Sequence, residues 1–421
     1  MVFYKRTAAN ALDGSVEEVR EYLDADDDLI EQYREAFEAL SATTVDEIRA
    51  RLSGQSYPGA LPTTILEEAD SLVQHHSESA SWESHEAVND WAREVLSDVP
   101  MLAIDGSEIP PTTQFNIPVA YVQAAWCVNY HSSEGRLERG RDGDLLTPGD
   151  LTSKASGSDD RSVDSSLAGL HRYELEGELL VRRMEKLAAA QDEGELEQPP
   201  VVLYDGPLVV AFVTALDEAS RQRYIDTISE TIAASHSLNI PLVGYVAGTD
   251  ARDLTTMVQN LPENELDDRP VIPDARVLSE LTDRWGDRTT PFVCRRNWSV
   301  DDLSRSDENS PYRFTGEVLF SYLDVPPGSG LDRIEFPDWL VHEEGPDEYE
   351  TMYDYTVEMV RAEAAVGRGY PELLQQADSD AVLDRQDRQQ FLRLLQNWAD
   401  ANDVSLEWDA KALSKERRRR R

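Results

Sequence analysis

Cysteine is scarce in this chain of 421 residues, which contains only Cys127 and Cys294. Neither lies in a CxxC or another metal-ligand spacing, which excludes a zinc-ribbon type of site. Both lie among apolar or strand-like residues, so we expect two buried free thiols and no disulfide bridge. No run of about 18 apolar residues is present, and the first residues lack the apolar core of a signal peptide. The sequence therefore predicts a cytoplasmic protein without membrane spans.

Positive charge is also scarce: 40 Lys and Arg residues face 82 Asp and Glu residues, a formal net charge of -42. Such a surface repels itself at ordinary ionic strength. In molar salt the Debye length falls to about 3 Å, and the repulsion is screened. The acid excess, with few lysines, is typical of a halophilic protein. It is a poor guide to partners, because adaptive surface carboxylates do not exclude a basic groove for nucleic acid.

Several common catalytic motifs are absent from the sequence. It has no GxxxxGK[ST] phosphate loop, which argues against ATP hydrolysis, and neither a G-x-S-x-G nucleophile elbow nor an HExxH zinc motif. His131, His171, His236 and His342 show no ligand spacing, so we expect surface or capping roles for them. The candidates that remain for chemistry are carboxylates.

Strands alternate with helices after Pro100, which predicts an α/β fold with a sheet that is at least partly parallel. Residues 1–95 show apolar residues at helical spacing, so we expect an N-terminal helical appendage. Residues 96–402 would form the main domain and residues 403–421 a C-terminal extension. That extension ends in the basic stretch Lys415–Arg421, which is either a solvated end or a weak electrostatic contact to DNA or an acidic partner.

Two predicted buried strands, residues 101–105 and 201–205, end in Asp105 and Asp205, and a glycine follows each aspartate. At the carboxyl end of a strand in an open α/β sheet, an aspartate faces the ligand crevice. The glycine allows a sharp turn and the close approach of a ligand. One such pair is a common turn. Two of them indicate a shared site, with two separate turn aspartates as the alternative.

A third carboxylate lies on the helix predicted over residues 165–191. Apolar residues recur along this helix at three- and four-residue spacing, and Glu176 falls on the same stripe as Tyr173. A buried carboxylate is costly unless it is paired or bound to a metal. Glu176 is therefore either a third metal ligand or the ion-pair partner of Arg172 or Arg183.

Asp105, Glu176 and Asp205 together suit a hard cation such as Mn²⁺ or Mg²⁺, which prefers oxygen ligands. One or two such ions can activate water and hold a phosphate for an in-line displacement. The three carboxylates thus fit metal-assisted hydrolysis of a phosphate ester.

The order of these motifs resembles the NurA nuclease family over residues 100–400. The matching pieces are, in chain order, Ile104–Ser107, Arg172-x-x-x-Glu176, Tyr204–Leu208, Arg333–Pro337 and Gly369–Pro371. The resemblance implies an α/β, RNase H-like mixed sheet flanked by helices and a homodimer. It also implies a manganese-dependent nuclease that cuts single-stranded DNA internally and degrades DNA ends 5′→3′. The implied partner is the hexameric ATPase HerA, a DNA translocase that works with such nucleases in end resection for recombinational repair.

Carried over residue by residue, the resemblance makes Asp105, Glu176 and Asp205 metal ligands and Tyr370 a residue of the active site. The family usually has a histidine eight residues after that tyrosine, where this chain has Asp378. Aspartate also binds Mn²⁺, but it cannot act as a neutral imidazole base. Either four carboxylates hold the metal, or the chain is a non-catalytic HerA-binding subunit that keeps the fold.

Arg333 and Glu335 alternate along one predicted strand, so their side chains should share a face. The resemblance places this face near the active site or the dimer interface. A cross-strand ion pair is the alternative role for these two charges.

Overall fold

The computed structural model describes residues 4–5, 8, 15–69, 71–77, 82, 84–111, 115–154, 161–266, 268–297, 312, 314–326 and 330–406. The basic stretch at 415–421 lies outside them. The chain divides into two compact units. The first unit comprises Met1–Ser81, Ala247–Asn297 and Leu319–Arg333, and the second comprises Trp82–Val246, Trp298–Val318 and Ile334–Arg421. The domain boundaries expected at residues 95 and 402 stay a prediction.

Helices and strands alternate along most of the described chain. The helices are α1 Val16–Leu40, α2 Val45–Leu52, α3 Ile65–Glu68, α4 His85–Val95, α5 Ser166–Asp192, α6 Glu218–Leu238, α7 Asp253–Gln259, α8 Asp274–Leu278, α9 Met352–Val366, α10 Glu372–Ala381 and α11 Arg385–Ala401. The strands are β1 Gly59–Pro62, β2 Val73–Gln74, β3 Met101–Ile109, β4 Ala120–Asn129, β5 Leu137–Leu146, β6 Thr152–Lys154, β7 Arg161–Val163, β8 Val201–Asp205, β9 Leu242–Val246, β10 Arg288–Thr289, β11 Phe292–Arg295, β12 Val318–Leu323 and β13 Asp332–Pro337.

The second unit is built on five of these strands in the order β5-β4-β3-β8-β9. The first three along the chain form an antiparallel meander, since β3 pairs antiparallel with β4 and β4 with β5. The last two run parallel to β3, which pairs with β8, and β8 pairs with β9. This mixed order is the RNase H-like arrangement, and the predicted fold class is confirmed.

Helices cover both faces of this sheet. Successive residues of β4 point to opposite faces, and Val122 packs in one apolar cluster with Ala168 of α5. Its neighbour Gln123 points the other way, where its Nε2 atom donates to the carbonyl oxygen of Ala381 in α10 at 2.7 Å. The core therefore lies on both sides of β3 and β4, and both strands are held between α5 and α10.

Strand β5 is rich in glycine and charged residues, a composition that by itself favours an exposed loop or hairpin, and it pairs antiparallel with β4. The glycines that favoured a loop accommodate aromatic side chains of β4. A Cβ at Gly140 would lie 2.5 Å from the ring of Trp126, and a Cβ at Gly143 would lie 2.2 Å from the hydroxyl of Tyr121. The glycines are thus compatible with a ten-residue strand, because they leave room for the bulky residues of the neighbouring strand.

The first unit contains the helices predicted near the N-terminus, together with strands that the sequence did not reveal. Helices α1 and α2 pack against α7, α8 and β1. Strand β1 pairs antiparallel with β11, and β2 pairs with β10. Residues 1–95 are therefore not helical throughout. Strands of four and two residues are too short to show a two-residue alternation in the sequence.

Arg333 and Glu335 are both buried in β13, where their charges have separate partners. The Nη1 atom of Arg333 donates to Asp253 Oδ2 at 2.6 Å and to the hydroxyl oxygen of Tyr322 at 3.2 Å. Glu335 Oε2 accepts the backbone N–H of Val209 at 2.9 Å. Arg333 is therefore ion-paired with the first residue of helix α7, which is not the cross-strand pair expected as the alternative, and a place near the active site or the dimer interface stays a prediction.

The two cysteines are free and buried, as predicted. Burial raises the pKa of the Cys127 thiol to about 12, so this thiol stays protonated. None of the helices in the described part of the chain has both the length and the apolar character that a membrane crossing needs.

Candidate active site

Asp105 lies inside β3 and not at its end. The strand continues to Ile109 and stays paired with β4 throughout, with Asp105 opposite Ala125. Its parallel pairing with β8 stops one residue earlier, where Ile104 lies opposite Tyr204. The expectation that the chain turns after Asp105 is therefore wrong. What ends at this level is the neighbouring strand, and Asp105 lies beside that end.

Asp205 is the last residue of β8, as predicted. Gly206 follows with a φ of 138°, in the region that favours glycine, and its N–H donates to the carbonyl oxygen of Tyr245 at 3.0 Å. The hydroxyl of Tyr370 donates to the Asp205 carboxylate. Asp205 is thus an exposed carboxylate at a true strand end, oriented by a tyrosine.

Gly106 has a different role from the one that the Asp-Gly pattern suggested. A Cβ at this position would lie 2.1 Å from Glu176 Oε1 and 2.9 Å from Arg172 Cγ. The glycine therefore provides no turn. It lets two side chains of α5 lie directly against the backbone of β3. Glu176 itself is only 3% exposed and lies on the buried stripe of the helix, as predicted.

Arg172 is the ion-pair partner of Glu176 that the sequence left as an alternative. Its Nη1 atom donates to Glu176 Oε1 at 2.7 Å and to the carbonyl oxygen of Gly106 at 3.2 Å. Its Nε atom lies 3.7 Å from Glu108 Oε2. Sequence reasoning missed Glu108, because that reasoning ended β3 at Asp105. Alternation along the longer strand places residues 106 and 108 on the same face.

The carboxylates act on one another electrostatically. Burial raises the pKa of Glu176 to about 7, where the charges of Asp105 and Asp205 oppose the lowering effect of Arg172. Burial also raises the pKa of Asp105 to about 6, and the charges of Asp205 and Asp378 add to the rise. For Asp205, burial raises the pKa against the lowering effect of the Tyr370 hydroxyl. Ionising the whole set therefore costs free energy in the metal-free protein.

Tyr370 reaches the site from the segment that joins α9 to α10, and Asp378 reaches it from α10 itself. The ring of Tyr370 meets that of Tyr245 edge to face, with 5.4 Å between the centroids. Burial and the charge of Asp205 raise the pKa of the Tyr370 hydroxyl above its usual range, so it remains a donor. Asp378 is exposed on α10, and its charge raises the pKa of both Asp105 and Asp205. Each of the five predicted site residues thus acts electrostatically on at least one of the others.

Helix α10 is held at its start by a buried carboxylate. Glu363 Oε2 accepts the N–H of Leu373 at 2.9 Å, and its Oε1 lies 3.0 Å from His131 Nε2. His131 Nδ1 in turn lies 2.7 Å from the carbonyl oxygen of Val99. His131 is therefore largely buried, and of its two expected roles, surface or capping, the surface role is wrong. Through these contacts His131 connects Val99, which lies just before β3, to Glu363, which holds the start of α10. Helix α10 carries Asp378.

A tighter group of possible metal ligands lies in the first unit. Among the described residues, the possible ligand atoms of His75, Asp283 and Asp287 all lie within 4.8 Å of one another. The oxygens of the four site carboxylates are more widely separated. Asp287 has a structural explanation, because its oxygens accept the backbone N–H groups of His76, Asp283 and Arg284. This carboxylate closes a turn of the chain.

The donors of the predicted site fit a hard divalent cation. Asp105, Glu176, Asp205 and Asp378 offer carboxylate oxygens, which Mg²⁺ and Mn²⁺ prefer. Mutual repulsion of these carboxylates is the kind of cost that a bound cation offsets. Arg172 donates to Oε1 of Glu176, so the second carboxylate oxygen, Oε2, can still bind a metal ion.

The chain is similar to a known protein family and to solved structures. Residues 99–383, more than half of the chain, match the family model described as the NurA domain. Among solved structures, the chain is similar to the NurA nuclease from Sulfolobus solfataricus at 14% sequence identity. That similarity covers 72% of this chain and 85% of the other, with a TM-score of 0.43. No curated protein matches the chain.

Proposed function

Because the chain belongs to the NurA domain family, we propose that it is a metal-dependent nuclease that hydrolyses the phosphodiester bonds of DNA. The main support is the group formed by Asp105, Glu176 and Asp205 near the end of β8. The pKa of each of these carboxylates is raised above its usual value. Like charges held close together, one of them on the buried Glu176, destabilise a fold unless something offsets them. Perturbed carboxylates of this kind are concentrated at functional sites.

Asp105, Glu176 and Asp205 would hold the cation, with Asp378 as a fourth carboxylate. A divalent cation bound there supplies an activated water and stabilises negative charge on the phosphate. Mn²⁺ is the proposed ion, with Mg²⁺ as its replacement. Tyr370 keeps its proton and orients Asp205 through its hydroxyl. The burial of Glu176 keeps solvent away from one side of the carboxylate set.

The test is a cleavage assay with purified protein, labelled single-stranded DNA and duplex ends, across Mn²⁺ and Mg²⁺ and across salt concentrations. We expect Asp105→Asn to abolish both cleavage and Mn²⁺ binding measured by calorimetry. Asp192→Asn, at the exposed last residue of α5, is the matched control and should cut normally. Undiminished cleavage by Asp105→Asn would overturn the assignment. A preference for RNA would indicate an RNase or a related phosphoesterase.

The finer proposal follows the family. The nuclease cuts single-stranded DNA internally, degrades ends 5′→3′ in the cytoplasm as a homodimer, and works with the HerA translocase in end resection and recombinational repair. Light scattering of the purified chain tests the dimer. Substrates labelled at either end test the polarity. Stimulation of HerA ATPase activity by the chain, and of cleavage by HerA, tests the partnership.

Asp378 supports a second candidate function, a non-catalytic HerA-binding subunit. An aspartate adds negative charge beside Asp105 and Asp205, and it cannot serve as the neutral base that a histidine provides. Normal stimulation of HerA, with no cleavage under any metal or salt condition, would favour this function. Cleavage that Asp378→Asn abolishes would instead show that the aspartate takes part in catalysis.

A further inference from the structure

We infer that Arg172 is a positioning residue, which fixes the carboxylate of Glu176 against β3 and so sets its distance from Asp105. The inference rests on the proposed function, because the two carboxylates matter together only if they share a cation. Arg172 would then orient Glu176 as well as neutralise its charge.

One nitrogen of Arg172 connects two elements of the fold. Its Nη1 atom donates to Glu176 Oε1, on the same helix, and to the carbonyl oxygen of Gly106, on β3. Gly106 is the residue that follows Asp105. The guanidinium therefore joins one carboxylate to the stretch of backbone that carries the other. A counter-ion that acted through charge alone would need no contact with the carbonyl group.

The guanidinium is held on a second side as well. Its Nε atom lies 3.7 Å from Glu108 Oε2, two residues further along the same face of β3. Acceptors on β3 thus flank the planar group, and a planar fork of donors matches such a set where a single ammonium does not. About two thirds of the Arg172 side chain is buried, which limits the conformations it can adopt.

Gly106 completes the arrangement. The missing Cβ leaves the space in which Glu176 Oε1 lies against the strand, and Arg172 holds the carboxylate there. A ligand that is already ordered loses less freedom when it binds a metal, and residues that orient ligands usually strengthen metal binding. Arg172 therefore affects the metal through Glu176 without touching it.

The test compares Arg172→Ala and Arg172→Lys with Arg182→Ala. Arg182 lies on the same helix, is exposed and pairs with Asp142, so it is a matched control. Mn²⁺ binding is measured by calorimetry without DNA, and kcat and KM are measured with single-stranded DNA. Thermal unfolding without metal establishes that each variant is folded.

We expect about 10- to 100-fold weaker Mn²⁺ binding for both Arg172 variants. We also expect a lower kcat with little change in KM for DNA, and wild-type behaviour for Arg182→Ala. The lysine keeps the charge but loses the bridge, so wild-type affinity in Arg172→Lys would overturn the inference and leave the proposed function intact. If the wild-type chain neither binds Mn²⁺ nor cuts DNA, the proposed function and the inference both fail.

Discussion

Glu176 Oε1 lies 2.1 Å from the point that a Cβ on Gly106 would occupy. Only glycine, which lacks a Cβ atom, leaves room for Glu176 at this position. The glycine of the Asp-Gly pair is thus a packing requirement of the helix, while its counterpart Gly206 is a turn residue with a φ of 138°. Two identical dipeptides in the sequence meet two different physical demands.

Gly106→Ala should displace Glu176 from β3. Overpacking in a buried site costs about 1–3 kcal/mol, so we expect the free energy of unfolding to fall by about that amount. Mn²⁺ binding should weaken, because Glu176 can no longer lie beside Asp105. Denaturant unfolding and calorimetry measure the two effects.

The control for this change is Gly54→Ala. Gly54 is exposed, and among the described residues no atom lies within 4 Å of a Cβ built there. This variant should unfold within about 0.5 kcal/mol of wild type. Unchanged stability and metal binding in Gly106→Ala would contradict the close contact described for Glu176.

The pH dependence of stability should show the raised pKa values of the site. Asp105 and Glu176 shift from 3.8 and 4.5 to about 6 and about 7 in the folded, metal-free chain. Between about pH 4 and about pH 7 the folded state therefore binds more protons than the unfolded state, and the free energy of unfolding falls as the pH rises. Mn²⁺ needs ionised ligands, so its stabilising effect should grow over the same range.

Denaturant unfolding in EDTA, repeated for the double variant Asp105→Asn with Glu176→Gln, isolates this contribution from the other titrating groups. The wild type should lose stability relative to the double variant from about pH 4 to about pH 7. A constant difference across that range would show that the two carboxylates do not titrate as described.

Asp378→Asn should make the site easier to ionise. The charge of Asp378 raises the pKa of Asp105 and Asp205, so its removal should move the midpoint of Mn²⁺ binding to lower pH. Asp380→Asn is the control, because Asp380 lies on the same helix but pairs with Arg141. Equal shifts in both variants would indicate a general charge effect and not a contact within the site.

Arg333→Met should destabilise the chain through the buried ion pair with Asp253. Removal of one partner of a buried pair costs about 3–5 kcal/mol, and we expect a loss near the lower end of this range because Arg296 Nε still lies 3.3 Å from Asp253 Oδ1. Arg252→Met, at an exposed neighbouring position, should have little effect. A loss below about 1 kcal/mol for Arg333→Met would mean that the pair contributes no more than a surface salt bridge.

Salt should stabilise the folded chain strongly. With a net charge of -42, self-repulsion opposes the compact state, and screening weakens it as the Debye length falls from about 10 Å at 0.1 M to about 3 Å at 1 M. The thermal midpoint measured in KCl should rise steeply over this interval. A midpoint that is flat or falls with added salt would contradict the prediction of salt adaptation.

Much of the fold could be predicted because long elements carry a clear periodic signal. Helix α5 was placed within a residue or two, and the position of Glu176 on its buried stripe followed from the spacing of its apolar neighbours. Strands β3 and β8 were recognised as apolar runs before an aspartate. These elements already bring Glu176 and Asp205 into the right layers of the structure.

The missed features depend on residues that are distant in the sequence. The extent of β3 beyond Asp105 is set by its pairing with β4, since the polar residues after Ile104 read as a turn when taken alone. Strand β5 contains glycines whose partners lie on another strand. Helix α10 is short and is fixed at its start by Glu363. Local propensity could not reveal any of these.

Strand β3 pairs with β4 along its whole length but with β8 only as far as Ile104. This difference has a consequence for inactivation by heat. Asp105 lies on a backbone that is paired with β4 on both sides of it, so it can leave its place only when the sheet itself opens. Asp378 lies on a short helix outside the sheet, where local opening requires less free energy than global unfolding. Warming should therefore detach Asp378 first, and activity should decline while the sheet still gives the circular dichroism of the native protein.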